Sequence, residues 1–331
     1  MKKIDRRKFL KVSMASAIAA KTGGLLLAND KENEPEAQEQ KNENEQEQKG
    51  TINATVAVAD TKINDDDIKK STKALLNALG GMEKFVKKGN TVAVKPNIAW
   101  DGSPETANNT NPILVAAIVE LALQAGAKTV KVFDRPCHNA RITYQNSGIA
   151  EAARNAGAEV IFAEDANRYK PVNIPDGKEL KNWTVFEEIL SADVFINVPV
   201  AKHHGTTRLT LGIKNLMGVM GGNRGEIHRG DIHQKLADYH TIVKPHLTII
   251  DAIRILIQGG PFSRGTTWVR KPGKIFASTD TVAADACATT VFKKYSGWEN
   301  IKPEDIGHIK KASEMKLGEH NLKHIELKKA E

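Results

Sequence analysis

Short runs of β-branched and aliphatic residues alternate, along most of the chain, with longer stretches whose apolar positions recur at helical spacing. TINATVAVAD (51–60) reads as a strand. Residues 64–79 read as a helix that begins with acids and stops at Gly80-Gly81. TVAVKPN (91–97) is a second strand, closed by Pro96, and a helix from about Pro112 to Ala125 follows with Asn111 as its N-cap. KTVKVFD (128–134) is a third strand, after which a helix over 140–156 and a strand in AEVIFAED (158–165) repeat the unit. DVFINVPV (193–200) and HLTIIDAI (246–253) are near-continuous apolar runs, as expected of strands covered on both faces. Asp280 fits the N-cap of a helix over 281–295. The alternation predicts an α/β fold, a largely parallel, helix-covered open sheet of Rossmann-like type over residues 51–331.

The first 50 residues break this pattern. Residues 1–28 carry seven basic side chains against one acid, then an apolar run from Val12 to Ala28 broken by Lys21 and Gly23-Gly24. Durable anchoring needs about 20 strongly apolar residues, so no stable transmembrane anchor is expected. Asp5-Arg6-Arg7-Lys8-Phe9-Leu10-Lys11 resembles the twin-arginine export signal. The resemblance implies the export machinery as a partner, a periplasmic or otherwise extracytoplasmic location, and cargo that often carries a cofactor. Residues 29–50, rich in Glu, Gln and Asn, offer almost nothing to bury and read as a disordered tether. Neither Cys137 nor Cys287 lies near the signal, so lipid anchoring is not expected.

The net charge of +8 first suggests a nucleic-acid partner. From Thr51 onward, however, 38 basic side chains face 31 acidic ones over 281 residues, and no basic run is interleaved with aromatics. Nucleic-acid binding is therefore not expected. Two isolated cysteines also cannot supply the four thiolates of an iron–sulfur cluster.

In an open α/β sheet, ligands bind beyond the carboxyl ends of strands. The chain places Lys95-Pro96-Asn97, Asp134-Arg135 and Lys202-His203-His204 at such exits, with Asp251 inside LTIIDAI. Six of the ten histidines (His203, His204, His228, His233, His240 and His246) fall within residues 203–246. Chance spacing is a poor account of that cluster. Lys214 lies in the apolar stretch LTLGIKNLMGVM, where burial would lower its pKa and make it a usable base or nucleophile. The glycine-rich GVMGGNRGEIHRGDIH can bring backbone N–H groups and Arg224 close to an anion.

The expected catalytic residues are thus His203, His204 and Lys214, with Lys95, Asn97, Lys202, Asn215 and Arg224 binding a small anionic ligand or cofactor. His204, His228 and His233 are the candidate ligands of a transition metal (nickel, iron or zinc), built across loops. Met217 and Met220 read as core. His240 and His246 read as locally hydrogen-bonded, and Cys137, with no identifiable base, as an inert thiol.

VAVKPN, INVPVAKHHGTTRLTLGIKNLMG, DAIRILIQGGPFSRG and KIFASTDTVAADACA resemble, in order and spacing, the family called domain of unknown function 362, over about Thr51 to Tyr295. The Lys-His…Lys-Asn-Leu-Met-Gly part is the specific one. Some relatives carry ferredoxin-type modules, a feature this cysteine count departs from. A more distant likeness is to nickel-dependent lactate racemases. In that likeness His204 stands for a catalytic His, Lys214 for a lysine that attaches a pincer cofactor, and His228 for a metal ligand. Together these readings lead to an exported enzyme of proton or hydride transfer at carbon, acting on a small anionic substrate with a metal or cofactor. The alternatives are a non-catalytic exported module binding an anionic ligand or organometallic cofactor, and a redox accessory protein.

Overall fold

A computed structural model describes residues 51–331; the signal-like segment 1–28 and the tether 29–50 lie outside the described residues. The chain runs β1 (Ala54–Asp60), α1 (Asp65–Asn77), β2 (Thr91–Pro96), α2 (Pro112–Gln124), β3 (Thr129–Asp134), α3 (Ala140–Asn146), α4 (Ile149–Asn155) and β4 (Glu159–Phe162). A hairpin of β5 (Tyr169–Asn173) and β6 (Asn182–Phe186) and the short α5 (Glu187–Ser191) come next. Then follow β7 (Val194–Val198), β8 (Val200–His204), β9 (Arg208–Thr210), α6 (Gly212–Asn215) and α7 (Ile232–His240). The chain closes with β10 (Leu247–Leu256), β11 (Val269–Arg270), β12 (Lys274–Ser278), α8 (Thr281–Thr289), α9 (Gly307–Glu314) and β13 (Ile325–Lys329).

The main sheet has the order β13-β1-β12-β10-β7-β2-β3-β4. Pairing is parallel from β10 through β7, β2 and β3 to β4. Along this order β12 is the exception, antiparallel to both β1 and β10; beside it, β11 runs antiparallel to β10 and β9 to β8. The chain between β10 and β12 returns through a loop and the two-residue β11, with no crossover helix to reverse its direction.

Alternation along the strands splits the core in two. Val92, Val94, Val130 and Val132 face α1, α2 and α4, packing with Ile68, Leu75, Leu114, Ile118 and Ile149. Ala93, Phe133, Phe195 and Phe276 face the other way, among Ile213 of α6, Leu236 of α7, Ala286 of α8 and Ile309 of α9. Covering both faces is what makes the central strands apolar throughout.

Caps follow the sequence expectation: Asn111 Oδ1 accepts from Ile113 N, and Asp280 Oδ1 from Ala283 N. Two helix boundaries differ. The helix expected over 140–156 breaks in two at Ser147-Gly148, where Gly148 adopts φ +70°. α8 stops at Thr289 and tightens into a 3-10 turn to Lys294. The stretch around Lys214 is one helical turn followed by a 3-10 turn. No helix among the described residues is long and apolar enough to cross a membrane.

Candidate functional site

Because β2, β3 and β7 run parallel, their carboxyl ends share one edge of the sheet, and Lys95 of β2 stands opposite Asn197 of β7. A cleft of about 670 Å³ opens there. Eight of the ten residues singled out from the sequence line it: Lys95, Asn97, Lys202, His204, Lys214, Asn215, Arg224 and His228.

Asn215, buried at the end of α6, is the hub. Its Oδ1 accepts from Lys95 Nζ (3.0 Å) and Asn97 Nδ2 (2.9 Å), and its Nδ2 donates to Asn197 Oδ1 (2.9 Å). Two buried N–H groups at the start of α6 are satisfied from α8, since the Asp285 carboxylate accepts from Gly212 N (2.6 Å) and Ile213 N (3.0 Å). Asp285 thus anchors the turn that presents Lys214 and Asn215. Burial pushes its carboxyl up to about 7, against the pull of those two N–H groups.

The lysines set the electrostatics. Lys95 is fully buried; its Nζ meets Asp134 Oδ1 at 2.8 Å and donates to Pro96 O at 2.8 Å. Burial lowers its pKa, opposed by Asp134. Lys202 Nζ donates to Asn97 Oδ1 (3.2 Å) and to Asn108 O. Burial brings its pKa down to about 7. The only hydrogen-bond contact of Lys214 Nζ among the described residues is the thioether of Met217, at 2.9 Å, and burial brings this amine down to about 8. Arg224 grips the loop after β3, donating to Arg135 O and Pro136 O at 2.8 Å each. Among the described residues, Asp134 is the one carboxylate lining the cleft against three lysines and two arginines, and it is already engaged by Lys95, Arg135 N and Ile98 N.

His204 Nδ1 accepts from Thr206 N (3.1 Å) and Thr207 N (3.3 Å), which leaves Nε2 to carry the ring proton. Burial, then the nearby Lys214, push its pKa down to about 2, so the ring is a neutral donor. His228 stacks on it, ring centroids 6.0 Å apart. Thr210, only 4% exposed, lines the cleft, and its buried Oγ1 has no hydrogen-bond partner among the described residues.

His203 and His233 lie outside the cleft. Side chains alternate along β8, so Lys202 and His204 face inward while His203 accepts from Gly260 N (3.0 Å) and meets Trp298 edge-on. His233 stacks on the buried His308, 75 positions along the chain, at 5.9 Å. Among the described residues no three His, Cys, Asp or Glu side chains are grouped to hold a metal ion. With His233 diverted and His204 Nδ1 occupied, the proposed three-histidine set does not fit a metal held by protein side chains alone.

His240 bonds Val243 O and His246 accepts from Phe195 N. Asp251 is structural too, accepting from Asn111 N and Ile253 N beside the start of α2. Sequence reasoning did not pair Asp134 with Lys95, and it read Cys137, which lines the cleft, as inert. The signal for both was their place at the exit of β3.

The family described as Domain of unknown function (DUF362) matches residues 92–290. A thylakoid-associated protein of Synechocystis sp. is 28% identical over 230 residues, 67% of this chain and 69% of that protein. A crystal structure from Thermotoga maritima aligns over 70% of this chain and 59% of its own, at 11% identity and TM-score 0.45. The lactate racemase apoprotein from Thermoanaerobacterium thermosaccharolyticum aligns over 68% of this chain and 54% of its own, at 12% identity and TM-score 0.42. The chain thus spans under two thirds of either solved structure. At these scores neither likeness bears on the chemistry of the cleft.

Proposed function

Starting from a chain that belongs to the DUF362 family, we propose that the cleft binds a small anionic substrate and moves a proton at a carbon next to its anionic group. One observation carries the reading: Lys214 Nζ is buried in a cleft of excess positive charge with, among the described residues, only a thioether for a partner. A buried cation without an acceptor is costly, and a bound carboxylate or phosphate removes that cost. With its pKa near 8, the same amine is partly neutral at physiological pH and can accept a proton.

The roles divide by hydrogen-bond partners: Lys202 keeps acceptors in Asn97 Oδ1 and Asn108 O and Arg224 stays charged throughout, whereas the Lys214 amine has no oxygen acceptor among the described residues. Lys202 and Arg224 hold the anionic group, and Thr210 Oγ1 supplies a further polar contact. His204 Nε2–H donates to an oxygen that gains charge as the C–H bond breaks, as a neutral imidazole can. Lys214 takes the proton. His204 therefore serves as a donor and not as the proton-exchanging base. Lys95, locked to Asp134 and Asn215, positions the floor of the cleft. Export through the twin-arginine route belongs to this proposal and rests on Arg6, Arg7 and the Phe-Leu-Lys that follows Lys8.

The test is hydrogen exchange at carbon. Full-length protein from its own host is incubated in D₂O with a panel of small 2-hydroxy, 2-oxo and 2-amino carboxylates and read by NMR. Deuterium incorporation that is lost in Lys214→Met supports the proposal. Anion binding without any exchange would favour the non-catalytic binding module instead.

A further inference from the structure

Cys137 was expected to be inert, yet it is solvent-exposed and lines the cleft. Its position is held from two sides. Its backbone N–H donates to Ala99 O at 2.8 Å, and Arg224, clamped on the carbonyls of Arg135 and Pro136, places Nη2 3.9 Å from Sγ. The remaining cleft wall carries Lys202, Lys214 and the unpartnered Thr210 Oγ1, so the space beside the sulfur is built for an anion. The chain's other cysteine, Cys287, is buried, does not line the cleft, and has its thiol pushed up to about 12 by burial. Any disulfide at Cys137 is therefore formed with an incoming molecule.

We propose that Cys137 is a mixed-disulfide site for small anionic disulfides, and that the adduct occupies and closes the anion cleft. The inference rests on the reading of the cleft as an anion site. Deprotonated Sγ attacks one sulfur of the incoming R–S–S–R; the S–S bond breaks, Cys137–S–S–R forms, and R–S⁻ leaves with the electron pair. Cys137 is oxidised, the departing half is reduced, and the Sγ proton has gone to solvent. The cations hold the negative R group beside the sulfur and offset its repulsion from the attacking thiolate.

The test compares the full chain's reaction with two disulfides, the dianionic dithiobis-nitrobenzoate and the uncharged dithiodipyridine, with N-acetylcysteine amide as the free-thiol reference. Focusing of an anion by a charged cleft should raise the anionic-to-neutral rate ratio about tenfold over the reference. Sulfate should bring the ratio back, Lys202→Met should lower it, and Cys137→Ser should abolish the fast reaction. A ratio equal to that of the free thiol, or one that sulfate leaves unchanged, overturns the inference. If sulfate binds the protein by calorimetry while the ratio equals the reference, the disulfide site fails and the anion cleft stands. If sulfate does not bind at all, the anion reading itself fails.

Discussion

A Cβ placed on Gly218 would lie 1.8 Å from Asp134 Oδ1 and 2.6 Å from Lys95 Nζ, so the backbone of Gly218 closes directly over the buried Lys95–Asp134 pair. Only a residue without a side chain lets the chain pass there. Gly218→Ala must therefore push the pair apart, and opening a buried ion pair costs about 3–5 kcal/mol. Gly265→Ala, where a Cβ meets nothing within 4 Å, is the control and should cost less than about 1 kcal/mol. Urea unfolding of both variants checks the difference; equal stabilities would mean that the pair does not need this close approach.

Removing the Lys214 amine should stabilise the protein while disabling the site. Lys214→Met keeps the stem volume and discards a buried cation that has no oxygen acceptor, so a gain of about 1–3 kcal/mol is expected near pH 7. Thermal unfolding should move upward as sulfate binding is lost. A variant that is less stable and still binds sulfate would place the amine outside the anion site.

Asp285 gives stability a pH signature. Its folded pKa, about 7, lies above the unfolded value, so its contribution is fully present below about pH 4 and is lost as pH rises to about 7. Asp285→Asn removes this term. The stability of the wild type minus that of the variant should fall across that window and be flat above it. A difference that is constant with pH would mean that Asp285 is not desolvated against the start of α6.

The export proposal has a charge-conserving test. Changing Arg6→Lys together with Arg7→Lys keeps both positive charges and removes the paired guanidinium groups. Cell fractionation should then find the protein retained in the cytoplasm. Normal export of the double variant would dismiss the twin-arginine reading.

Much of the fold was legible because burial on both faces leaves a plain trace: the runs at 193–200 and 246–253 are strands, and Asn111 and Asp280 cap helices as their residue types imply. Eight of ten site candidates line one cleft: Lys95 and Asn97 at the end of β2, Lys202 and His204 on β8, and Lys214, Asn215, Arg224 and His228 on the helical turns that follow β9. What stayed hidden depends on contacts distant in sequence. Nothing near His233 announces His308, and nothing near Lys95 announces Asp134, 39 positions on. The alternation that turns His203 away from Lys202 and His204 was readable in principle, once residues 200–204 are taken as a strand instead of a loop. The antiparallel course of β12 left no mark in an apolar run that fits either direction.

The central claim is that the cleft is an anion site charged by buried lysines, and calorimetric titration of the full-length protein with sulfate tests it most directly, because sulfate keeps its charge over the working range. Lys202 and Lys214 have folded pKa values of about 7 and about 8, well below their unfolded values. Both amines are charged below about pH 6.5 and neutral above about pH 9. Sulfate should therefore bind at the lower pH and weaken about tenfold or more at the higher one, with Lys202→Met binding poorly at both. Absence of sulfate binding at the lower pH, or an affinity that does not change between the two, would contradict the account.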